Sequence, residues 1–336
     1  MRAIRSFFLH LIIYIGAACV TSTAQAEDLP VQADTLVVAS DGTGTHRTLA
    51  EALESCRAFM TVRKVIFVRN GIYKEKTVIP SWLTNIEICG EDREHTVITF
   101  DDHANICRPL FDGGEAQPLT TFRTYTLRID GSDIILRNIT IENNAPQLGQ
   151  AVALHTVGTR LQFINCRLLG NQDTVFTGTA GSLVYFKDCY IEGTTDFIFG
   201  PSTAWFEGCT IHCKINSYIT AASTPQDVPF GYVFNNCTIT TAPEATKVYL
   251  GRPWRDYGYT LFMNCQLPKE IRPEGWHHWE KQREQTARYM EYNNRGEGAA
   301  TTHRAAWSRQ LSKREAQQIT PDRVFSLKSE WSTDGK

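Results

Sequence analysis

Two aspartates, Asp173 and Asp196, stand in matching settings. Residues 165–176 read NCRLLGNQDTVF and residues 188–199 read DCYIEGTTDFIF. Laid over one another, each runs Cys, x, Leu or Ile, x, Gly, x, x, Asp, x, Val or Ile, Phe. If the two cysteines stack on neighbouring turns of a repeating structure, the aspartates stack too, about 5 Å apart. Carboxyls that close cannot both ionise freely, and Val175, Phe176, Phe197, Ile198 and Phe199 add desolvation. One proton shared between two acids suits a general acid beside a nucleophile or base. Either aspartate alone reads most simply as a turn residue bonding its own backbone. The pair in register is what points to chemistry.

Other side chains fit the same site. Gln172 precedes one aspartate, and LGQAVAL places Gln150 near the end of the preceding unit. Neutral amide donors beside paired carboxylates suit an oxyanion site for acyl transfer. LGRPWRDYG sets Arg252 and Trp254 two residues apart, on one face of an extended strand. Arginine holds a carboxylate ionised through a bidentate contact, and a tryptophan in a groove is a platform for a sugar ring. Taken singly, they would be a surface ion pair and a core residue. Retaining glycosidases also pair carboxylates, at about 5 Å, so the spacing leaves ester and glycoside cleavage both open. The two glutamines favour the ester.

The frame that would position these groups recurs. FINCRLLG, FKDCYIEG, FEGCTIHC, FNNCTITT and FMNCQLPK share Phe-x-x-Cys-x-(Leu/Ile), with cysteines at 166, 189, 209, 237 and 265. LRNITIEN fits with Ile139 in the cysteine slot, and LTNIEICG from Leu83 reads as a further copy. A strand-like unit returning every 20–30 residues marks a solenoid. No helical pattern long enough for βαβ crossovers intervenes, and the Leu/Asn frame of leucine-rich repeats is absent. The expected fold is all-β, a right-handed parallel β-helix. Its cysteines form a ladder of small buried side chains, with a Cys189–Cys209 disulfide as the first candidate for a bridge between rungs.

The ends differ. SDGTGTHRTLAEALESC predicts a Gly-rich turn and a short capping helix from about Thr48, followed by strands around Asn70-Gly71. After about Pro268 the cysteine frame stops. WEKQREQTARYMEY and LSKREAQQIT read as helical and charged, a tail packed on the outside of the solenoid. The expected domains are a signal peptide at 1–26, a β-helix at 27–285 and the tail at 286–336.

The N-terminus carries Arg2 and Arg5, an apolar run from Phe7 to Val20 and Ala24-Gln25-Ala26, the pattern of a signal peptide cleaved after Ala26. The run is short for a membrane span. The expected product is secreted or periplasmic and not membrane-bound. The whole chain has 336 residues and net charge −2. Loss of the two leader arginines makes it −4, against a nucleic-acid partner. Nine of ten cysteines then remain, an odd number and a poor disulfide framework. No cluster of His and Cys at metal-ligand spacing is present.

These residues resemble the pectin methylesterases, or pectinesterases. GNQDTVF is similar to their Gly-Tyr-Gln-Asp-Thr-(Leu/Val)-Tyr block, GTTDFIFG to their Gly-x-(Val/Thr)-Asp-Phe-Ile-Phe-Gly block, and LGRPW and QAVAL match intact. GIYKEK, DGTGTHRTLAEAL and YNNRGEGA also follow family patterns, in family order from about Asp41 to Trp307. The resemblance implies an esterase acting on methyl-esterified pectin with neither metal nor cofactor, and a monomer is expected. It implies Asp196 as nucleophile, Asp173 as acid and then base, and Gln150 and Gln172 as oxyanion donors. Arg252 would orient Asp196, Trp254 would contact the sugar chain, Thr121 would lie near a substrate-contacting threonine, and Phe199 would line the cleft. Asn171 and Phe176 depart from the usual tyrosines, SYITAASTPQD from the usual Thr-Ala-Gln-Gly-Arg stretch, and GEGA from Gly-Pro-Gly-Ala. A binding-only β-helix, an esterase for another acyl group, and a glycosidase or lyase are the rival expectations.

Overall fold

The structure, a computed structural model, describes residues 35–109, 113–280, 282–325 and 331. The chain winds through three parallel sheets of eleven, seven and seven strands, each coil adding a strand to a sheet beside the coil before. This is the expected right-handed parallel β-helix. Residues 1–26, read as a signal peptide, lie outside the described residues.

The repeat frame is legible in three dimensions. Phe163, Phe186, Phe206, Phe234 and Phe262 are register partners on consecutive strands of the eleven-stranded sheet. Their rings stack at centroid distances of 4.9, 4.6, 4.3 and 4.3 Å, fully buried. Burying each ring contributes on the order of 2 kcal/mol. The residue before each cysteine turns the chain in the left-handed region: Asn165, Asp188, Gly208, Asn236 and Asn264 have φ of 51–62°. Gly, Asn and Asp adopt that conformation with least strain. Amide ladders such as Asn165 Nδ2 to Asn138 Oδ1, at 2.8 Å, reinforce the turn.

The cysteines of the repeat line the core, and Cys189 and Cys209 are not bridged: both thiols are free, as are all nine described cysteines. Cys189 Sγ donates to the carbonyl of Phe163 at 3.3 Å, and Cys209 Sγ lies 3.7 Å from that of Phe186. Each thiol is thus satisfied by the backbone of the preceding coil, without a covalent link.

Register corrects one copy of the frame. Ile88, not Leu83, is the partner of Leu136 and so occupies the phenylalanine slot. The turn after Gly90 is enlarged by a segment around Asp92, whose carboxylate accepts from the backbone N–H of Glu94 and His95.

At the N-terminal end the helix Leu49–Glu54 is closed by a reciprocal cap between Thr48 and Glu51, and it buries Leu49, Ala52 and Leu53 in the core. The C-terminal region departs from the helical reading. Arg288–Tyr292 is a strand parallel to Tyr259–Met263, and Arg309–Gln310 adds one more. Glu291 stands opposite Phe262 in register and is 1% exposed. Its Oε1 accepts from Arg304 Nε at 2.8 Å and Trp276 Nε1 at 3.2 Å. A charge that reads as solvent-facing therefore sits inside, where its partners satisfy it. Only the last part behaves as expected: after the short helices Lys313–Ala316 and Pro321–Val324, Val324 and Phe325 pack with Tyr185 and Trp205.

Candidate active site

Asp173 and Asp196 enter the third sheet on adjacent coils, two residues before the register pair Val175 and Ile198. Both sit in the left-handed region, with φ of 67° and 50°. The turns depend on the frame's glycines. A Cβ at Gly193 would lie 2.2 Å from the Cβ of Phe197, and one at Gly170 would lie 2.7 Å from Thr174 Oγ1. The backbone N–H of Asp173 donates to Thr195 O at 3.1 Å, and that of Asp196 to Tyr218 O at 2.9 Å. Asp173 is 8% and Asp196 5% exposed.

Environment separates the two acids. Burial pushes the Asp173 carboxyl well above its ordinary range, and the neighbouring charge of Asp196 pushes it the same way. Burial also raises Asp196, but two hydrogen bonds from Arg252 and its positive charge pull against that. Arg252 donates from Nε to Oδ1 at 3.0 Å and from Nη2 to Oδ2 at 2.7 Å. The first proton therefore leaves Asp196, and Asp173 keeps the other.

Arg252 is itself held. Its guanidinium lies 3.9 Å from the ring centres of both Tyr218 and Trp279. Trp279 is placed by Arg283, whose guanidinium lies 5.7 Å from its ring and donates to the carbonyls of Pro253 and Trp254. Sequence reasoning missed Tyr218 and Trp279. Tyr218 lies in SYITAASTPQD, where the family pattern is lost, and Trp279 in the stretch read as helix. The only signal was a density of aromatic residues near a known arginine.

Gln150 and Gln172 lie on neighbouring coils whose backbones are tied, the N–H of Ala151 donating to Gln172 O at 3.0 Å, while Gln150 O accepts from Ala104 N at 2.7 Å. Both side chains are half-buried. Phe122, Phe176, Phe199 and Trp254 form a continuous aromatic line, with centroids 4.8, 4.7 and 5.9 Å apart. Phe199 and Trp254 are thus in contact with each other, and Phe176 and Phe199 are both buried in this line. Thr121 opens a short 3-10 turn, Thr121–Arg123. Thr124 ties that turn to the site, donating from Oγ1 to Thr121 O and accepting from Val152 N at 2.9 Å. Among the described residues no group of three or more His, Cys, Asp or Glu side chains gathers as a metal site.

A buried acid pair with one carboxylate in an arginine clamp, on a parallel β-helix, defines a β-helical carboxylic ester hydrolase. The chain belongs to the pectinesterase family, whose model matches residues 35–327. Pectinesterase 31 of Arabidopsis thaliana is 38% identical over 288 residues, 83% of this chain and 88% of that protein. The chain covers only 43% of a longer relative, probable pectinesterase/pectinesterase inhibitor 21 of Arabidopsis thaliana, which is 33% identical over 85% of this chain. Pectin methylesterase from carrot superposes with a TM-score of 0.79 at 31% identity, covering 89% of this chain and 95% of that one. A pectin methylesterase in complex with a hexasaccharide superposes with a TM-score of 0.74 at 28% identity, covering 88% and 97%.

Proposed function

We propose that the chain hydrolyses methyl esters of galacturonate residues in pectin and releases methanol through an acyl-enzyme on Asp196. The observation that carries this reading is the division of labour between a clamped carboxylate, Asp196, and an adjacent carboxyl held protonated, Asp173. The ionised Asp196 attacks the ester carbonyl. The amides of Gln150 and Gln172 take the negative charge that develops on the carbonyl oxygen. Asp173 gives its proton to the methoxy oxygen as the C–O bond breaks, and methanol leaves. Asp173, now a carboxylate, removes a proton from water, which attacks the acyl–Asp196 anhydride. Asp196 departs as carboxylate into the Arg252 clamp, Asp173 is reprotonated, and the sum is ester plus water to acid plus methanol. Trp254, Phe199 and the Thr121 turn contact the sugar chain.

Methanol release from methyl-esterified pectin, measured for wild type and Asp196→Asn, tests the reading. Release by wild type alone is expected. Equal activity in both would remove Asp196 from the chemistry, and none in either would leave a binding protein. The proposal extends to export as a monomer, motivated by the charged, apolar and small-residue pattern of residues 1–26. An exported product whose sequence begins elsewhere than Glu27, or a dimeric mass in solution, would count against that part.

A further inference from the structure

Trp279, one of the two rings that hold Arg252, has a φ of 63°. That is the left-handed region, a strained setting for a bulky side chain that persists only where its surroundings enforce it. One neighbour does so directly. The backbone N–H of Trp279 donates to Nδ1 of His277, two residues earlier, at 3.2 Å. The contact has the form of an Asx-turn, in which a side-chain acceptor takes the N–H two residues on. It requires a free lone pair on Nδ1, so the proton of the neutral imidazole sits on Nε2.

His277 is itself fixed. Its backbone N–H donates to Gly251 O at 3.1 Å. Its half-buried ring lies 5.5 Å from Tyr218 and 5.4 Å from Tyr249, which stack on one another at 5.2 Å. His278 stacks against it at 4.6 Å, and Arg272 lies over the Tyr249 ring at 4.8 Å. Of the nearby acids, Glu274 acts on Tyr249 and Glu280 bonds Arg283 at 3.0 Å. Burial, and then the charges of His278, Arg252 and Arg272, hold the imidazole pKa below its ordinary range.

We propose that His277 is a positioning residue for the nucleophile: as a neutral acceptor it latches Trp279 onto Arg252, and protonation opens the latch. This rests on the esterase reading above. An imidazolium cannot accept the Trp279 N–H. The left-handed turn then loses its support, the ring leaves the guanidinium, and the grip of Arg252 on Asp196 loosens. The new positive charge by itself would favour ionised Asp196, but the cation that acts on Asp196 is Arg252. Asp196 therefore takes up its proton at higher pH once His277 is charged.

Methanol release from pectin, followed from pH 3 to 8, tests the latch. His277→Ala lowers kcat at pH 7 about 3- to 10-fold, the loss of one hydrogen bond, and leaves KM unchanged. His277→Asn, whose Oδ1 accepts the same N–H without titrating, restores kcat. The acid limb of wild type falls more steeply than one proton allows. In His277→Asn it lies at lower pH, with the slope of a single ionisation. In a Trp279→Ala background His277→Ala adds nothing, because both act through one ring. An undiminished kcat in His277→Ala, no rescue by asparagine, or additive losses overturn the proposal. Nitrogen NMR of the histidine rings gives a readout apart from activity. The resonance missing from His277→Asn is expected to be an Nε2–H tautomer at pH 7. An Nδ1–H tautomer overturns the latch whatever the esterase assay gives, whereas absence of methanol release by wild type fails the esterase reading instead.

Discussion

Arg252 grips Asp196 through two hydrogen bonds, 3.0 and 2.7 Å, while Tyr218 and Trp279 hold its guanidinium from 3.9 Å each. The planar fork fixes the plane of the carboxylate, and the aromatic rings fix the fork. In the proposed mechanism, ionisation and orientation of the nucleophile are thus one device.

Replacing the fork by a point charge separates the two. Arg252→Lys keeps a cation but loses the bidentate geometry. The expected loss is about 10–100-fold in kcat, the equivalent of one or two charged hydrogen bonds. The acid limb of the pH–activity profile should move to higher pH, because less holds Asp196 below its burial-raised pKa. An unmoved acid limb, measured across pH 3–7, would detach Arg252 from that ionisation.

Trp279→Ala removes one ring of the clamp without touching the acids. Cation–π contacts are worth about 0.5–2 kcal/mol, so kcat should fall roughly 3- to 30-fold, again with the acid limb shifted upward. A change in KM alone, in steady-state kinetics on pectin, would make Trp279 a sugar contact instead of a support for Arg252.

Asp173 carries a pH signature in stability as well as rate. Its folded carboxyl holds its proton well above the unfolded value of 3.8. The native state therefore binds the proton more tightly, and stability from this group is complete below pH 3.8 and lost as pH rises through the folded pKa. Asp173→Asn, which cannot ionise, should melt higher than wild type at pH 8, with the gap closing toward pH 4. Calorimetric scans across that window check it; a lower melting temperature at pH 8 would contradict the buried, reluctant acid. The same variant should lose about 100-fold or more in kcat.

The cysteine ladder makes a simpler statement. Because Cys189 and Cys209 are free and bonded to carbonyls, reductant should leave the melting temperature unchanged. Thiol titration of protein unfolded without reductant should find all nine described cysteines reactive. A count lower by two would restore a disulfide.

The fold and the acid pair were legible in the sequence because a solenoid converts spacing into contact. Cys166 and Cys189 head matching frames, so every residue after them, including Asp173 and Asp196, arrives in register. The Phe slot, the Asn turn and the glycines each repeat for a reason that acts within one or two coils. Where the frame changes length, legibility fails. The longer turn around Asp92 breaks the spacing that would have marked Ile88 as the phenylalanine slot, and the absence of cysteine after Cys265 hid the strand Arg288–Tyr292.

What the sequence determined by itself is the rung: a parallel β-helix and two aspartates on neighbouring coils; Arg252 and Trp254, read as one face of an extended strand, lie just beyond the strand Tyr249–Gly251. Tertiary structure alone decided that the Arg252 guanidinium, which meets Asp196 across 56 residues, is held between the rings of Tyr218 and Trp279. It also decided that Glu291 faces inward to Arg304. Periodicity fixes what stacks along the axis, because each rung must pair with the next. It does not fix what the loops bring over the surface, because their paths depend on contacts that no repeat records.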